Sequence, residues 1–189
     1  MPRKPMYDLD EVMQQAIDIF LEHGFHGAVM DEIIARTDFN RRGFYLEFGS
    51  KQKFLYRVIQ FYLDNDLQQV LATLEKHQGI QAIHHFFESY LSLVNRRGCL
   101  LVNCITELGH DDATIRDFGR HYLDRLQIDF IACLERAVTN HELSRETNIE
   151  AVALQLTSYV QGFAVNAILV EDNNELTLAT QTLLGTVKR

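Results

Sequence analysis

Apolar residues recur at steps of three and four along almost the whole chain, and this spacing is typical of amphipathic α-helices. The first stripe lies between Asp8, a favourable N-cap residue, and Gly24, a residue type that favours helix termination. Its members are Leu9, Val12, Met13, Ala16, Ile17 and Phe20. The pattern predicts a first helix over 8–23 and an all-α fold, because strict alternation of apolar and polar residues is rare.

Two short helices are predicted next. One covers 28–36, and the other begins after Asn40, a favourable N-cap residue, and continues to Leu46. Ser50 is suited to cap a long helix that follows and reaches about His77. Two short helices joined by three or four residues form a candidate helix-turn-helix.

Five more helices are predicted after Gly79, which gives about nine in all. Their ranges are 80–95, 100–109, 112–140, 148–170 and 174–187. The last two carry apolar residues on more than one face, and such helices need a second surface to cover them. We therefore predict a homodimer in which these two helices pack against their copies.

Composition limits the class of protein. The chain has 189 residues, 47% of them hydrophobic, and a core of this size is stable without disulfides or a metal. Its three cysteines lack CxxC spacing, which favours free thiols in a reducing cytoplasm. The charged segment Met1–Pro5 leads into no apolar signal region, and polar residues interrupt the apolar stretch 149–170. We expect a buried helix at 149–170 and no contact with a membrane.

The uneven charge distribution carries the main functional signal. The chain has a net charge of −8, yet the segment 36–57 holds six basic residues and two acidic ones. A basic patch over the third predicted helix is suited to DNA phosphates, while Asn and Arg side chains can pair with base edges. A basic helical face can also be merely solvated, and the helix-turn-helix spacing favours the DNA interpretation. The candidate DNA-binding residues are Asn40, Arg41, Arg42, Tyr45 and Lys51. Phe44 and Phe48 are expected in the core.

A motif in the first 55 residues resembles the N-terminal signature of TetR-family transcriptional regulators. It consists of Gly24-Phe25, Met30-Asp31-Glu32-Ile33, Gly43-Phe44-Tyr45-x-x-Phe48-Gly49-Ser50-Lys51 and Phe54-Leu55. The resemblance implies a dimeric, all-α repressor with an N-terminal helix-turn-helix DNA-binding domain, 1–53, and an effector-binding and dimerisation domain, 54–189. It also implies that Tyr45 and Lys51 contact phosphates and that Asn40, Arg41 and Arg42 belong to the recognition helix.

The sequence departs from that signature in three places. Ala28 and Val29 stand where Thr or Ser usually begins the second helix, so a hydroxyl cap is expected to be absent. Asp38 replaces the usual turn glycine, and Asp adopts that left-handed geometry better than most residues do. Arg42-Gly43 replaces a Gly followed by a small residue. These departures bear on the operator sequence more than on DNA binding itself.

The segment 97–103, followed by Glu107-Leu108, resembles a branch of the same family that includes repressors of electrophile-detoxifying reductases. Cys99 follows a glycine near a predicted helix start, where the helix dipole and the neighbouring Arg96 and Arg97 can stabilise a thiolate. Cys99 is therefore a candidate redox or electrophile sensor. The alternative is an ordinary buried cysteine, the usual state of a free Cys.

An effector pocket is expected between the helices of the second domain, lined mainly by apolar side chains with a few polar anchors. The candidate lining residues are Phe61, Phe86, Phe87, Tyr90, Asn103, Phe118, Tyr122, Tyr159 and Phe163. Each also has the helical spacing of an ordinary core residue. No ligand class can be read from them.

Enzyme and metal-binding interpretations have less support. The sequence has no GxSxG, P-loop, GxGxxG or HExxH motif. His84 and Glu88 share a helical face, but no third ligand follows at a defined spacing. The predicted function is a ligand- or electrophile-responsive repressor that an effector releases from a palindromic operator, without cofactor, metal or catalysis. The alternative is a helical enzyme or metal-binding protein with an incidental helix-turn-helix.

Overall fold

The computed structural model describes residues 8–187, and the predicted all-α fold is confirmed over this range. Nine helices cover it. They are α1 (Leu9–Gly27), α2 (Met30–Arg36), α3 (Arg41–Phe48), α4 (Lys51–Tyr62, continued by a π-helical segment Leu63–Leu67 and by Gln68–Lys76), α5 (Gly79–Val94), α6 (Leu100–Leu108), α7 (Ala113–Thr139), α8 (Ile149–Leu169) and α9 (Asn173–Val187). The segment Met1–Pro5, on which the expectation about a signal region rests, lies outside the described residues.

Helices α1 to α3 and the start of α4 enclose a small aromatic core. Phe44 and Phe48 are buried on one face of α3, as predicted. Both pack against Phe54 of α4, with ring centroids 5.0 Å and 4.5 Å from its ring. Phe39, in the turn before α3, packs edge-on against both phenylalanines of α3. This core fixes α3 against α4 and leaves the opposite face of α3 to solvent.

Side-chain caps set the starts of the helices in this unit. The Asn40 side chain accepts a hydrogen bond from the backbone N–H three residues later at 2.8 Å, and the Ser50 hydroxyl does the same at 3.1 Å. Helix α2 begins at Met30, two residues later than predicted. Val29 occupies its N-cap position and gives no side-chain bond, in accord with the expected loss of a hydroxyl cap.

Gly24 interrupts α1 but does not end it as predicted. Its φ of 66° and ψ of −177° lie outside the helical region, and one further helical turn follows as far as Gly27. The N–H of Ala28 closes that turn by donating to the carbonyl oxygen of Gly24 at 3.2 Å. The first N–H groups of this turn therefore need acceptors from outside α1.

The large domain is built around α5, α7 and α8. Phe86 of α5 packs edge-on against Phe130 of α7 with ring centroids 5.2 Å apart, and Phe87 lies 5.5 Å from Phe163 of α8. Helix α9 covers α5 and α8. Helix α6 packs against α1, α4 and α7, so it connects the N-terminal unit to the large domain.

Helix α8 has two different faces. By length and composition alone it could cross a membrane, with a mean hydropathy of 1.3 over its most apolar window. One face packs on α5, α7 and α9, whereas the other exposes apolar side chains, among them Leu154 and Leu169. The prediction of a buried helix therefore holds, within one subunit, for one face of α8, and the exposed face is a candidate contact surface for a second subunit.

Candidate nucleic-acid interface

Helices α2 and α3 form the helix-turn-helix that the sequence predicts. In the turn, Asp38 has a φ of 52°, the left-handed conformation that a glycine usually supplies. The N–H of Phe39 donates to the carbonyl oxygen of Ile34 at 3.1 Å. These contacts keep the turn tight and set the direction in which α3 leaves it.

The face of α3 opposite the aromatic core is exposed. Arg41, Arg42 and Tyr45 lie on it, with 42% of the Tyr45 surface accessible. Asn40 stands at the N-terminal end of the helix, but its side-chain oxygen is the cap acceptor, so its NH₂ group is what it can offer to a base. The structure thus brings four predicted residues together at one exposed surface, three from α3 and one from its N-cap.

Three of the six basic residues in 36–57 are paired with acidic side chains. The ion pairs are Arg36–Glu22, Arg41–Asp31 and Arg57–Glu47. The hydrogen bond from Arg36 to Glu22, 2.7 Å long, holds the pKa of that carboxyl below its usual value. Two of the acidic partners come from α1 and α2, outside the counted segment. The positive charge available to DNA is therefore smaller than the count in the sequence indicates.

The other three basic residues are Arg42, Lys51 and Lys53. Arg42 and Lys53 are exposed and form no ion pair with any residue that the structure describes. The Lys51 Nζ atom lies over the ring of Phe25, 4.6 Å from its centroid, and this cation–π contact holds the side chain at the start of α4. Burial lowers the pKa of Lys51, and the negative charge of Glu107 opposes that effect.

Sequence reasoning missed one side chain on this surface. Leu46 is 77% exposed, the most exposed large hydrophobic residue among those the structure describes. A helical wheel anchored on the inward Phe44 and Phe48 would have placed it outward, because Leu46 lies two residues from each. An apolar side chain on a recognition helix is suited to the methyl group of thymine.

The predicted pocket residues are mostly packed into the core of the large domain. Phe86, Phe87, Tyr90, Tyr122 and Phe163 are buried, while Phe61, Asn103, Phe118 and Tyr159 are partly exposed. A cleft of about 30 Å³ lies between α5, α8 and α9, and Phe87 and Phe163 are the predicted residues that line it. Such a volume holds one or two water molecules, whereas ligand pockets usually occupy roughly 300–1,000 Å³.

Cys99 is fully buried at the N-cap position of α6. The hydroxyl of Tyr62 donates to its sulfur at 3.7 Å. Among the described contacts, neither neighbouring arginine provides the expected stabilisation of a Cys99 thiolate. Arg97 pairs with Asp18, and Arg96 donates to the carbonyl oxygen of residue 171. Burial and the nearby buried tyrosines Tyr62, Tyr90 and Tyr122 therefore set the environment of Cys99, and the two guanidinium groups do not.

One group of potential metal ligands is found among residues 8–187. Glu22, His23 and Glu32 bring their ligand atoms within 4.8 Å of one another at the surface. The guanidinium of Arg36 already lies 2.7 Å from Glu22 and 3.5 Å from Glu32. This cluster is therefore a surface ion-pair network. Glu88, a potential metal ligand in the sequence, contacts His85 of its own helix at 2.9 Å.

Two family models match this chain. The one described as bacterial regulatory proteins, tetR family, matches residues 12–58. The one described as tetracyclin repressor-like, C-terminal domain, matches residues 79–183. The two matches cover the helix-turn-helix unit and most of the large domain.

Known relatives and solved structures agree with these matches. YezE of Bacillus subtilis (strain 168), an uncharacterized HTH-type transcriptional regulator, is 26% identical over 163 residues, which cover 82% of this chain and 84% of YezE. DhaR of Mycobacterium sp. (strain GP1), an HTH-type transcriptional repressor, is 23% identical over 92% of this chain and 90% of its own length. A cysteine mutant of CifR bound to operator DNA has a TM-score of 0.83 at 20% identity, over 96% of this chain and 98% of CifR. Reduced NemR of E. coli has a TM-score of 0.77 at 19% identity, over 96% of both chains.

Proposed function

Because the chain belongs to the TetR family of bacterial regulatory proteins and is a DNA-binding transcriptional regulator, we propose that it represses transcription as a homodimer on a palindromic operator. The observation that carries this proposal is the exposed face of α3, where Arg41, Arg42 and Tyr45 point away from an aromatic core. DhaR, a relative of this chain, is a repressor. We expect a cytoplasmic location because the DNA target lies there.

In this proposal α3 enters the major groove. Arg41 and Arg42 are suited to guanine edges, and the NH₂ group of Asn40 can donate to an acceptor atom on a base edge. Tyr45 and Lys51 contact phosphates and fix the register of the helix on the duplex. Phosphate contacts carry no sequence information, so base preference belongs to the side chains near the N-terminal end of α3.

The dimer forms through α8 and α9. These helices expose Leu154, Val165, Ile168, Leu169 and Leu178, of which Leu169 is 72% accessible in one subunit. A twofold-symmetric contact would cover this apolar face in both subunits at once. It would also place two copies of α3 on one side of the duplex, as a palindromic operator requires.

An effector would act on the large domain. It can release DNA only if it favours a conformation in which the two α3 helices no longer fit successive half-sites. The aromatic core is closely packed, so a ligand that binds inside it must open it, whereas a reagent would act by modifying a side chain. Cys99 is the candidate for modification by an oxidant or electrophile. The solved structures with this fold include CifR with cysteine substitutions and NemR in a reduced form.

Selection of genomic fragments by the purified full-length protein tests the proposal. We expect recovered fragments to share a palindrome whose half-sites lie about one helical turn, roughly 34 Å, apart. Insertion of about five base pairs between the half-sites rotates one by half a turn and should abolish cooperative binding of two subunits. Recovery of unrelated fragments at moderate salt would contradict the proposed function.

A further inference from the structure

Glu107 links the large domain to the N-terminal unit through two hydrogen bonds. It lies in the last turn of α6, and its carboxylate oxygens accept from the backbone N–H groups of Phe25 at 2.7 Å and His26 at 2.8 Å. These N–H groups begin the helical turn after Gly24, where no acceptor is available within the same turn. A carboxylate that accepts two N–H bonds makes a strong and directional contact.

Gly24 allows this contact in two ways. Its φ of 66° directs the next two N–H groups out of the α1 ladder, and few other residue types adopt that conformation readily. A Cβ atom at position 24 would lie 2.9 Å from Oε2 of Glu107, closer than real Cβ contacts. Helix termination would account for the φ of Gly24 but not for the need to omit a Cβ atom. The close approach of the Glu107 carboxylate accounts for both, because it uses the redirected N–H groups and the space that a Cβ atom would fill.

The same link reaches a proposed DNA contact. Phe25, whose N–H is held by Glu107, carries the aromatic ring over which Lys51 lies at 4.6 Å. The charge of Glu107 also acts on Lys51, since it opposes the effect of burial on the pKa of the lysine. A displacement of Glu107 would therefore change both the support and the electrostatic surroundings of Lys51.

Helix α6 is well placed to transmit such a displacement. Just before its start, Arg97 pairs with Asp18 of α1. Just after its end, Asp112 accepts hydrogen bonds from Gln52 at 2.7 Å and Tyr56 at 2.6 Å, both on α4. Polar contacts to the N-terminal unit thus flank α6 on both sides, and Glu107 is the one that reaches the backbone of α1.

We propose that Glu107 is a positioning residue for DNA binding, which holds Phe25, and through it Lys51, in place relative to α6. The inference rests on the proposed role of Lys51 in DNA binding. It adds a specific connection by which a change in the large domain reaches the DNA-contacting surface. Movement of α6 would break the two hydrogen bonds that the N–H groups of Phe25 and His26 donate to the Glu107 carboxylate, and it would leave Lys51 without its fixed aromatic partner.

A double-mutant cycle between Glu107 and Lys51 tests this inference. Glu107→Gln keeps the size of the side chain but places an NH₂ group against one N–H donor. We expect it to weaken binding to the selected operator roughly tenfold, and by less than about threefold when Lys51→Ala is already present, because the two effects share one route. Glu135→Gln, at an exposed position of α7, makes the same charge change and should leave affinity unaltered.

The possible results separate this inference from the proposed function. If the unsubstituted protein prefers no duplex, the proposed function fails. If it binds its operator but Glu107→Gln binds equally well, or loses the same factor in both backgrounds, Glu107 has no positioning role. Hydrogen exchange of the Phe25 and His26 amides provides a second test. It uses the unsubstituted protein, so it does not depend on whether a variant folds. We expect slow exchange at both, and exchange at the rate of an open chain would overturn the proposal.

Discussion

Burial governs the chemistry of the cysteine residues. The pKa of Cys104 is raised far above its ordinary value, first by burial and then by the charge of Glu107. Burial also raises the pKa of Cys133, although Arg136 donates to its sulfur at 3.1 Å. Thiolate is therefore scarce at both positions near neutral pH. Cys99 is also buried, and it begins α6 and contacts the hydroxyl of Tyr62 on α4.

We predict that hypochlorite or N-ethylmaleimide modifies Cys99 and lowers the fraction of operator bound. An added group cannot fit at this fully buried site without moving the start of α6 away from α4. Mass spectrometry of the modified protein and a binding assay on the same sample provide the measurement. Cys99→Ser should remove the response, and Cys133→Ser should preserve it. Modification of Cys99 with unchanged DNA affinity would end the sensor hypothesis.

At this scale, local chemistry could be predicted from the sequence and contacts between elements could not. The cap at Asn40 and the inward direction of Phe44 follow from residues within one turn of each other. The pairing of Arg41 with Asp31 depends on how α2 meets α3. The contact of Glu107 with Phe25 joins residues 82 positions apart, and no spacing rule indicates it.

At the scale of elements, α3 is the part of the chain that we propose reads the DNA sequence. Its two arginines differ in state, because Arg41 is paired with Asp31 while Arg42 forms no ion pair within residues 8–187. An arginine must leave its carboxylate before it can donate to guanine, so Arg42 is the better prepared of the two. The basic segment 36–57 predicts a DNA-binding surface, but it does not show which of its arginines is free to contact a base.

We predict that Arg42→Ala relaxes base preference at one position of each half-site by about 1–3 kcal/mol, the value of a bidentate contact with guanine. Arg41→Ala should have a smaller effect on base preference. Arg41 must first break its ion pair with Asp31, and the cost of doing so offsets part of the free energy that a contact with guanine would give. Binding measured against a library of operator variants gives both values. Arg145→Ala, at an exposed position of the large domain, removes an equal charge and serves as the control. An unaltered preference profile for Arg42→Ala would exclude it as a base contact.

Helix boundaries could be predicted to within about two residues because caps and glycines mark them locally. Gly24 is the exception, because a helical turn resumes after it. The continuation is held from outside by Glu107, so its cause lies in the tertiary fold. The sequence also could not show that the aromatic residues of the large domain form a packed core and not a pocket, because a core residue and a pocket residue have the same helical spacing.

At the scale of the whole molecule, the proposed function depends on two copies held at a fixed separation. The apolar outer face of α8 and α9 is what one subunit leaves uncovered, and the sequence already indicated it from the lack of a single polar face. A glutamate placed there appears twice in a twofold-symmetric contact, once from each subunit. Its charge would lose water against an apolar surface with no partner to compensate.

We therefore predict that Leu169→Glu weakens the dimer on the order of 30-fold or more, which corresponds to the loss of at least about 2 kcal/mol for a central interface residue. Sedimentation over a range of concentrations measures the dissociation, and operator affinity should fall with the population of dimer. Ile128→Glu, on α7, adds the same charge at another exposed apolar position and should leave the dimer intact. A Leu169→Glu protein that stays dimeric would place the interface elsewhere, and an unsubstituted protein that sediments as a single subunit would exclude the paired arrangement of α3 on which operator recognition depends.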